Sequence, residues 1–137
     1  MSIQLSLEVD TARTSFVDVL RILLSSGWVV RDVEGVSFLP FEAADVSEWK
    51  LFSDEGPKVA LDACEKRELA GLVPGLVLLR HDELRGGQFL WSGGRTLIVS
   101  LTVNTPGDWN FDRQLLEIGR PLEAGGVEIE RLVIERS

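Results

Sequence analysis

A chain of 137 residues with 45% hydrophobic and 26% charged side chains is long enough for a single domain, residues 1–137, that buries roughly 65–70% of its unfolded surface and needs no disulfide or metal staple. The lone cysteine, Cys64, excludes an intrachain disulfide framework, and no apolar run approaches the ~18 residues of a membrane-spanning helix. A net charge of −8 disfavours direct nucleic-acid binding, and without a basic-then-apolar leader after Met1 the expectation is a cytoplasmic protein with no membrane attachment.

In chain order, Ile3, Leu5, Leu7 and Val9 alternate with Gln4, Ser6 and Glu8, the mark of a strand with one face on the core. Asp10 or Thr11 can cap the helix that follows, or Ser15 can do so with Asp18 in a capping box. Phe16, Val19, Leu20 and Leu23 form the helix's apolar stripe, and Gly27 supplies its stop. Residues 28–33 and 36–39 are β-rich runs joined at Glu34-Gly35, which predicts a tight hairpin ended by Pro40. Residues 41–53 are poorly periodic, with a helical turn expected over 43–46 and a short strand over 49–52.

Asp54 and Glu55 before Pro57 favour a helix from residue 57 to about 70. Its narrow apolar stripe is Leu61, Cys64 and Leu69, residues 65–68 read as its solvated side, and Gly71 stops it. A meander follows: a strand over 76–80, a polar loop over 81–87, a strand over 88–92, and a Gly93-Gly94 turn into a central strand over 95–105, where Leu97, Val99, Leu101 and Val103 alternate. Phe111, Leu115, Ile118 and Leu122 carry a helical pattern that Gly119 and Pro121 interrupt. The last strand, 127–135, changes phase between Ile129 and Leu132, which predicts a bulge near Glu130-Arg131.

Residues 6–11 (SLEVDT) echo residues 100–105 (SLTVNT), and each copy runs into a helical pattern and then a strand. The reading is an α+β fold: one mixed, largely antiparallel sheet with about three helices packed on it. Two β-α-β halves, residues 3–33 and 96–135, flank an inserted helix and a β-meander.

No motif carries chemistry. His81, the only histidine, stands with Asp82 and Glu83 in a polar loop where three consecutive side chains cannot converge on one ion, and with Cys64 it falls short of a structural zinc ligand set. Cys64 reads as a small buried hydrophobe. The Gly86-Gly87 and Gly93-Gly94 pairs precede no lysine and open no helix, so they are hairpin glycines and not phosphate loops. Carboxylate pairs such as Asp32 with Glu34 or Asp54 with Glu55 identify no glycosidase from spacing alone. The expectation is a protein with no catalytic residue, metal or cofactor.

The charge distribution is more informative. Residues 32–55 hold seven acids (Asp32, Glu34, Glu42, Asp45, Glu48, Asp54, Glu55) against Lys50 alone, which is most of the excess. Phe38, Phe41, Trp49 and Phe52 are interleaved with these acids, while Trp91 and Trp109 sit beside turns. At least two of the four tryptophans, Trp28 foremost, are expected to be core. Acids around an aromatic anchor suit a basic protein partner, with Glu42, Asp45, Glu48, Trp49, Asp54 and Glu55 as the contact.

In general character over its whole length the chain resembles bacterial toxin-immunity proteins: small, acidic, cysteine-poor and without a catalytic motif. That resemblance implies a non-enzymatic module that binds and neutralises a cognate toxin. The doubled β-α-β pattern also resembles ferredoxin-like and ACT-like regulatory domains, which implies small-ligand binding as the alternative.

Overall fold

A computed structural model describes residues 3–32, 34–80, 86–103 and 115–136. The opening alternation becomes β1 (Ile3–Ala12), with Leu5, Leu7 and Val9 buried on one face and Glu8 exposed on the other. Asp10 and Thr11 stay in this strand, so the cap of α1 (Phe16–Ser25) is Ser15, whose hydroxyl accepts the Asp18 N–H at 3.2 Å. Phe16, Val19, Leu20 and Leu23 are buried as the 3.6-residue spacing requires, and Gly27, at φ +103°, takes the left-handed position that ends the helix.

The remaining elements are β2 (Trp28–Val30), β3 (Val36–Phe38), β4 (Lys50–Phe52), α2 (Pro57–Leu69), β5 (Gly75–Arg80), β6 (Gly86–Ser92), β7 (Thr96–Val103), a π-helical turn (Leu115–Gly119) leading into α3 (Arg120–Ala124), and β8 (Glu128–Arg136). The strands form one eight-stranded sheet in the order β4-β3-β5-β6-β7-β1-β8, with β2 also on β5. Every described ladder is antiparallel, so the α+β fold is as read and its sheet is not mixed. Pro121 sits in the first turn of α3, where its missing N–H costs nothing, and the change from the wide turn to the α-helix falls at Gly119-Arg120. Residues 81–83, Trp109, Phe111 and the second echo beyond Val103 lie outside the described residues.

Both β-α-β halves are present, but neither pairs its own two strands. β7 and β8 both run antiparallel to β1, which lies between them, so they are parallel to each other and form a split unit around the first strand. In the other half β7, β6 and β5 separate β1 from β2. The echoed stretches become neighbouring central strands, and Ser6 is the direct cross-strand partner of Ser100, so a local two-fold axis passes between them. The turn into β7 is carried by Gly93 and Gly94 at φ +63° and +73°, with Arg95 as a third loop residue whose N–H reaches Ser92 O at 3.3 Å. The change of phase in the last strand is a bulge: Asp10 faces Arg131 and Thr11 faces Ile129, which leaves Glu130 unmatched.

Two local expectations are overturned. Residues 28–39 are not a hairpin, because β2 and β3 lie along the same side of β5, Trp28–Val30 opposite Arg80–Leu78 and Phe38 opposite Leu76. β5 offers a longer apolar ladder than either run can offer the other, and the residues between loop out, closed by an Asp32–Gly35 bridge. The second correction concerns α2, whose buried face is Ala60, Ala63, Cys64 and Arg67, while Leu69 is 81% exposed. Small residues at this i, i+3, i+4, i+7 spacing let the helix approach the sheet closely.

The core lies between the helices and one face of the sheet. Phe16 stacks on Trp91 at 6.0 Å, and Trp28 meets Phe89 edge-on at 5.1 Å with the Arg80 guanidinium 5.3 Å from its ring centre. Trp28 and Trp91 are both core, and Trp28 Nε1 donates to Glu117 O at 2.9 Å. β5 is buried on both faces, since Val77 and Leu79 are covered as well as Leu76 and Leu78.

Candidate partner-binding site

The acidic segment occupies one end of the sheet. It comprises the loop closed by Asp32 and Gly35, β3, the connection from residue 39 to 49, the edge strand β4, and the connection from 53 to 56 into α2. Pro40 and the run of turns after it end pairing at Phe38, and the chain resumes a ladder only at Lys50, opposite Phe38. After Leu39, whose N–H still reaches Gly75 O at 3.0 Å, the backbone bonds are those of tight turns, Ala43 N–H to Pro40 O at 3.0 Å and Glu48 N–H to Asp45 O at 3.4 Å.

This connection is held by an arginine. Arg67, 2% exposed in the middle of the molecule's edge, donates from Nε to Val73 O at 2.7 Å, and from Nη1 to the carbonyls of Pro40 (3.1 Å), Phe41 (3.2 Å) and Ala43 (2.9 Å). Nη1 has two hydrogens for three acceptors, so one is shared between carbonyls. The guanidinium makes no ion pair with a described carboxylate, and its charge is offset by carbonyl dipoles arranged around it. Its neighbour Glu68 is also structural, Oε2 accepting the Phe16 N–H at 2.7 Å and so satisfying an orphan donor at the start of α1. Residues 65–68 are therefore not simply a solvated side.

Of the sequence-derived contact residues, Glu42, Asp45, Glu48, Asp54 and Glu55 are all exposed, as is Glu34. Asp45 Oδ1 accepts the Ser47 hydroxyl and the Ser47 N–H (2.7 Å), and these bonds hold its carboxyl below the usual aspartate range. Glu48 Oε2 accepts the Ala44 N–H. Each of these two carboxylates thus braces its own turn while keeping oxygens toward solvent. Asp32 is drawn inward, with Oδ2 accepting the Ser37 hydroxyl at 2.6 Å.

Trp49 is half-buried and lies on the sheet face opposite the helices. A Cβ at Gly75 would come within 2.9 Å of Trp49 Cη2 and 2.6 Å of Leu90 Cδ2, so the glycine provides the space in which the indole rests. Phe38 and Phe52 stack on each other at 4.8 Å and belong to the packing. The exposed apolar residues among the acids are instead Phe41 (48%), Val46 and Leu51. Sequence reasoning included Phe41 among the interleaved aromatics but did not separate it from the others.

Cys64 is enclosed beneath this region, its Sγ donating to Gly75 O at 3.6 Å, and burial pushes its thiol up to about 12. Stability linked to the neutral thiol is complete below the ordinary thiol value of 9.0 and declines as pH rises toward 12. We expect an aromatic disulfide reagent at pH 8 to react with the native protein at least about a hundredfold more slowly than with the urea-unfolded chain. Comparable rates would show that the thiol is accessible.

Elsewhere, α1 and α2 frame an apolar groove of about 230 Å³ over Val17, Leu20, Leu24 and Leu61, and a hollow of about 460 Å³ lies between α1 and α3 against Ile22, Leu116, Arg120 and Pro121. Among the described residues no helix is long and apolar enough to cross a membrane. Compared with known proteins, the chain matches no family model, no curated protein and no solved structure.

Proposed function

We propose that this chain is a non-enzymatic protein-binding module that docks a basic partner through its acidic end, and that its specific role is that of an immunity protein neutralising a cognate bacterial toxin. The observation that carries the reading is the exposure of Glu34, Glu42, Asp45, Glu48, Asp54 and Glu55 at the same end of the sheet as the solvent-facing Phe41, Val46 and Leu51, with residues 40–43 braced from beneath by Arg67. Like-signed charge around apolar anchors steers an oppositely charged surface and then desolvates against it. A connection already pinned loses little freedom on binding.

The test is co-expression with the product of a neighbouring toxin-like reading frame, followed by titration calorimetry. Complex formation should weaken with added salt, and the Glu48→Lys, Asp54→Lys double variant should bind about tenfold or more weakly at low salt. An affinity unchanged by both would exclude the acidic end as the contact. A second reading is a small-ligand regulatory domain, for which the hollow between α1 and α3, shallow and widely open to solvent, is the place to look. Ligand at a hundred times its dissociation constant would add about 2.7 kcal/mol in a thermal-shift screen, and a flat response to amino acids and nucleotides would count against it.

A further inference from the structure

The two edges of the sheet differ. At the acidic end β4 is three residues long and carries the exposed Lys50, features that discourage strand addition. At the opposite end β8 runs for nine residues, pairs β1 along one side, and has no described partner along the other. Such an edge offers a row of unpaired N–H and C=O groups to another strand.

Its side chains favour one particular partner. Residues 130–136 read Glu-Arg-Leu-Val-Ile-Glu-Arg. When this strand is laid antiparallel against a copy of itself with Val133 on the two-fold axis, Arg131 faces Glu135 of the second copy, Glu135 faces its Arg131, and Leu132 faces Ile134. In sequence Glu130 also falls opposite Arg136. Moving the axis to the next residue either way sets Arg131 against Val133, or Val133 against Glu135, and both charge pairs are lost. Arg131 and Glu135 are exposed and have no ion-pair partner among the described residues. Leu132, Val133 and Ile134 are only half-buried, although Leu132 and Ile134 already pack against the core.

We infer that β8 is a self-association surface whose occupant is a second copy of this chain, joined edge to edge by antiparallel pairing about Val133. The register keeps the helices of both copies on the same face of a continuous sheet. It is independent of the proposed toxin contact, which lies at the far edge. Opposite charges directly across an antiparallel pair are favourable and like charges are unfavourable, so each interaction made once is made again by symmetry.

Light scattering after size exclusion should give the wild-type chain a mass near twice the 15.2 kDa of one chain at high micromolar concentration. Arg131→Glu alone, or Glu135→Arg alone, sets like charges against each other twice and should raise the dissociation constant roughly ten- to a hundredfold. An equimolar mixture of the two single variants restores both attractive pairs and should recover the dimer, as should the double variant R131E/E135R. Independently of charge, Val133→Cys should form a disulfide between copies under mild oxidation, because directly opposed strand positions fall within the Cα spacing a disulfide accepts, whereas Leu132→Cys should not. A wild-type mass of one chain at every concentration, dimers undiminished in the single variants, no recovery on mixing, or equal cross-linking at positions 132 and 133 would each overturn the inference.

Discussion

Arg67→Ala is expected to lower the unfolding free energy by about 4 kcal/mol in urea denaturation, from a total that for domains of this kind is on the order of 5–15 kcal/mol. The substitution removes donors from the carbonyls of Val73, Pro40, Phe41 and Ala43; Pro40 O keeps the Ala43 N–H, and each of the other three left unpaired away from water costs about 1–3 kcal/mol. Water entering from the surface side recovers part of the sum, which is why the expectation lies well below three full penalties. Lysine is a poor substitute because a single ammonium cannot reproduce the spread of Nε and Nη1. The loss should also be local: limited proteolysis of the Ala variant should cleave first between residues 40 and 49. A destabilisation under about 1 kcal/mol with the proteolysis pattern unchanged would show that the guanidinium is not what holds this connection.

Gly87→Ala should be almost as damaging, at about 3 kcal/mol, for a steric reason. A Cβ there would overlap Ser100 O, at 2.8 Å from Ser100 C and 3.0 Å from Leu101 Cα, all of them backbone atoms of β7 that no rotamer change can move. β6 is bonded on both sides, to β5 and β7, so opening one ladder disturbs the other. The control is Gly93→Ala, which meets nothing within 4 Å and bears only the strain of a left-handed backbone, about 1 kcal/mol. Equal midpoint shifts for the two variants would mean that β6 has more room than these distances allow.

The elements whose burial follows a simple period were legible in the sequence. Leu97, Val99 and Leu101 announce β7, and Phe16, Val19, Leu20 and Leu23 announce α1, because in both cases hydropathy and geometry agree. Arg67 was not legible, since a hydropathy pattern gives no credit to a charged residue whose value lies in reaching four carbonyls from a helix face lined by Ala60, Ala63 and Cys64. The spacing 60-63-64-67 was nonetheless there to be read. Residues 28–39 misled for another reason: local turn chemistry proposes a hairpin, but which ladder forms depends on β5, some forty residues away. At the candidate site the charge excess was visible by counting. The seating of Trp49 over Gly75 was not, because it depends on two segments meeting.

The position of β1 has a consequence for how the molecule comes into being. Both strands that flank it, Thr96–Val103 and Glu128–Arg136, are synthesised last, so the first strand emerges from the ribosome without either native neighbour and waits for most of the chain to follow. Closing loops of this length before any pairing rewards them makes assembly slow relative to helical proteins of equal size. Until Thr96–Val103 appears, the apolar face of β1, Leu5, Leu7 and Val9, has no strand beside it, and its second edge stays open until Glu128–Arg136 follows, the kind of segment on which holdase chaperones act. Truncation before residue 128 should therefore yield aggregation rather than a smaller folded domain.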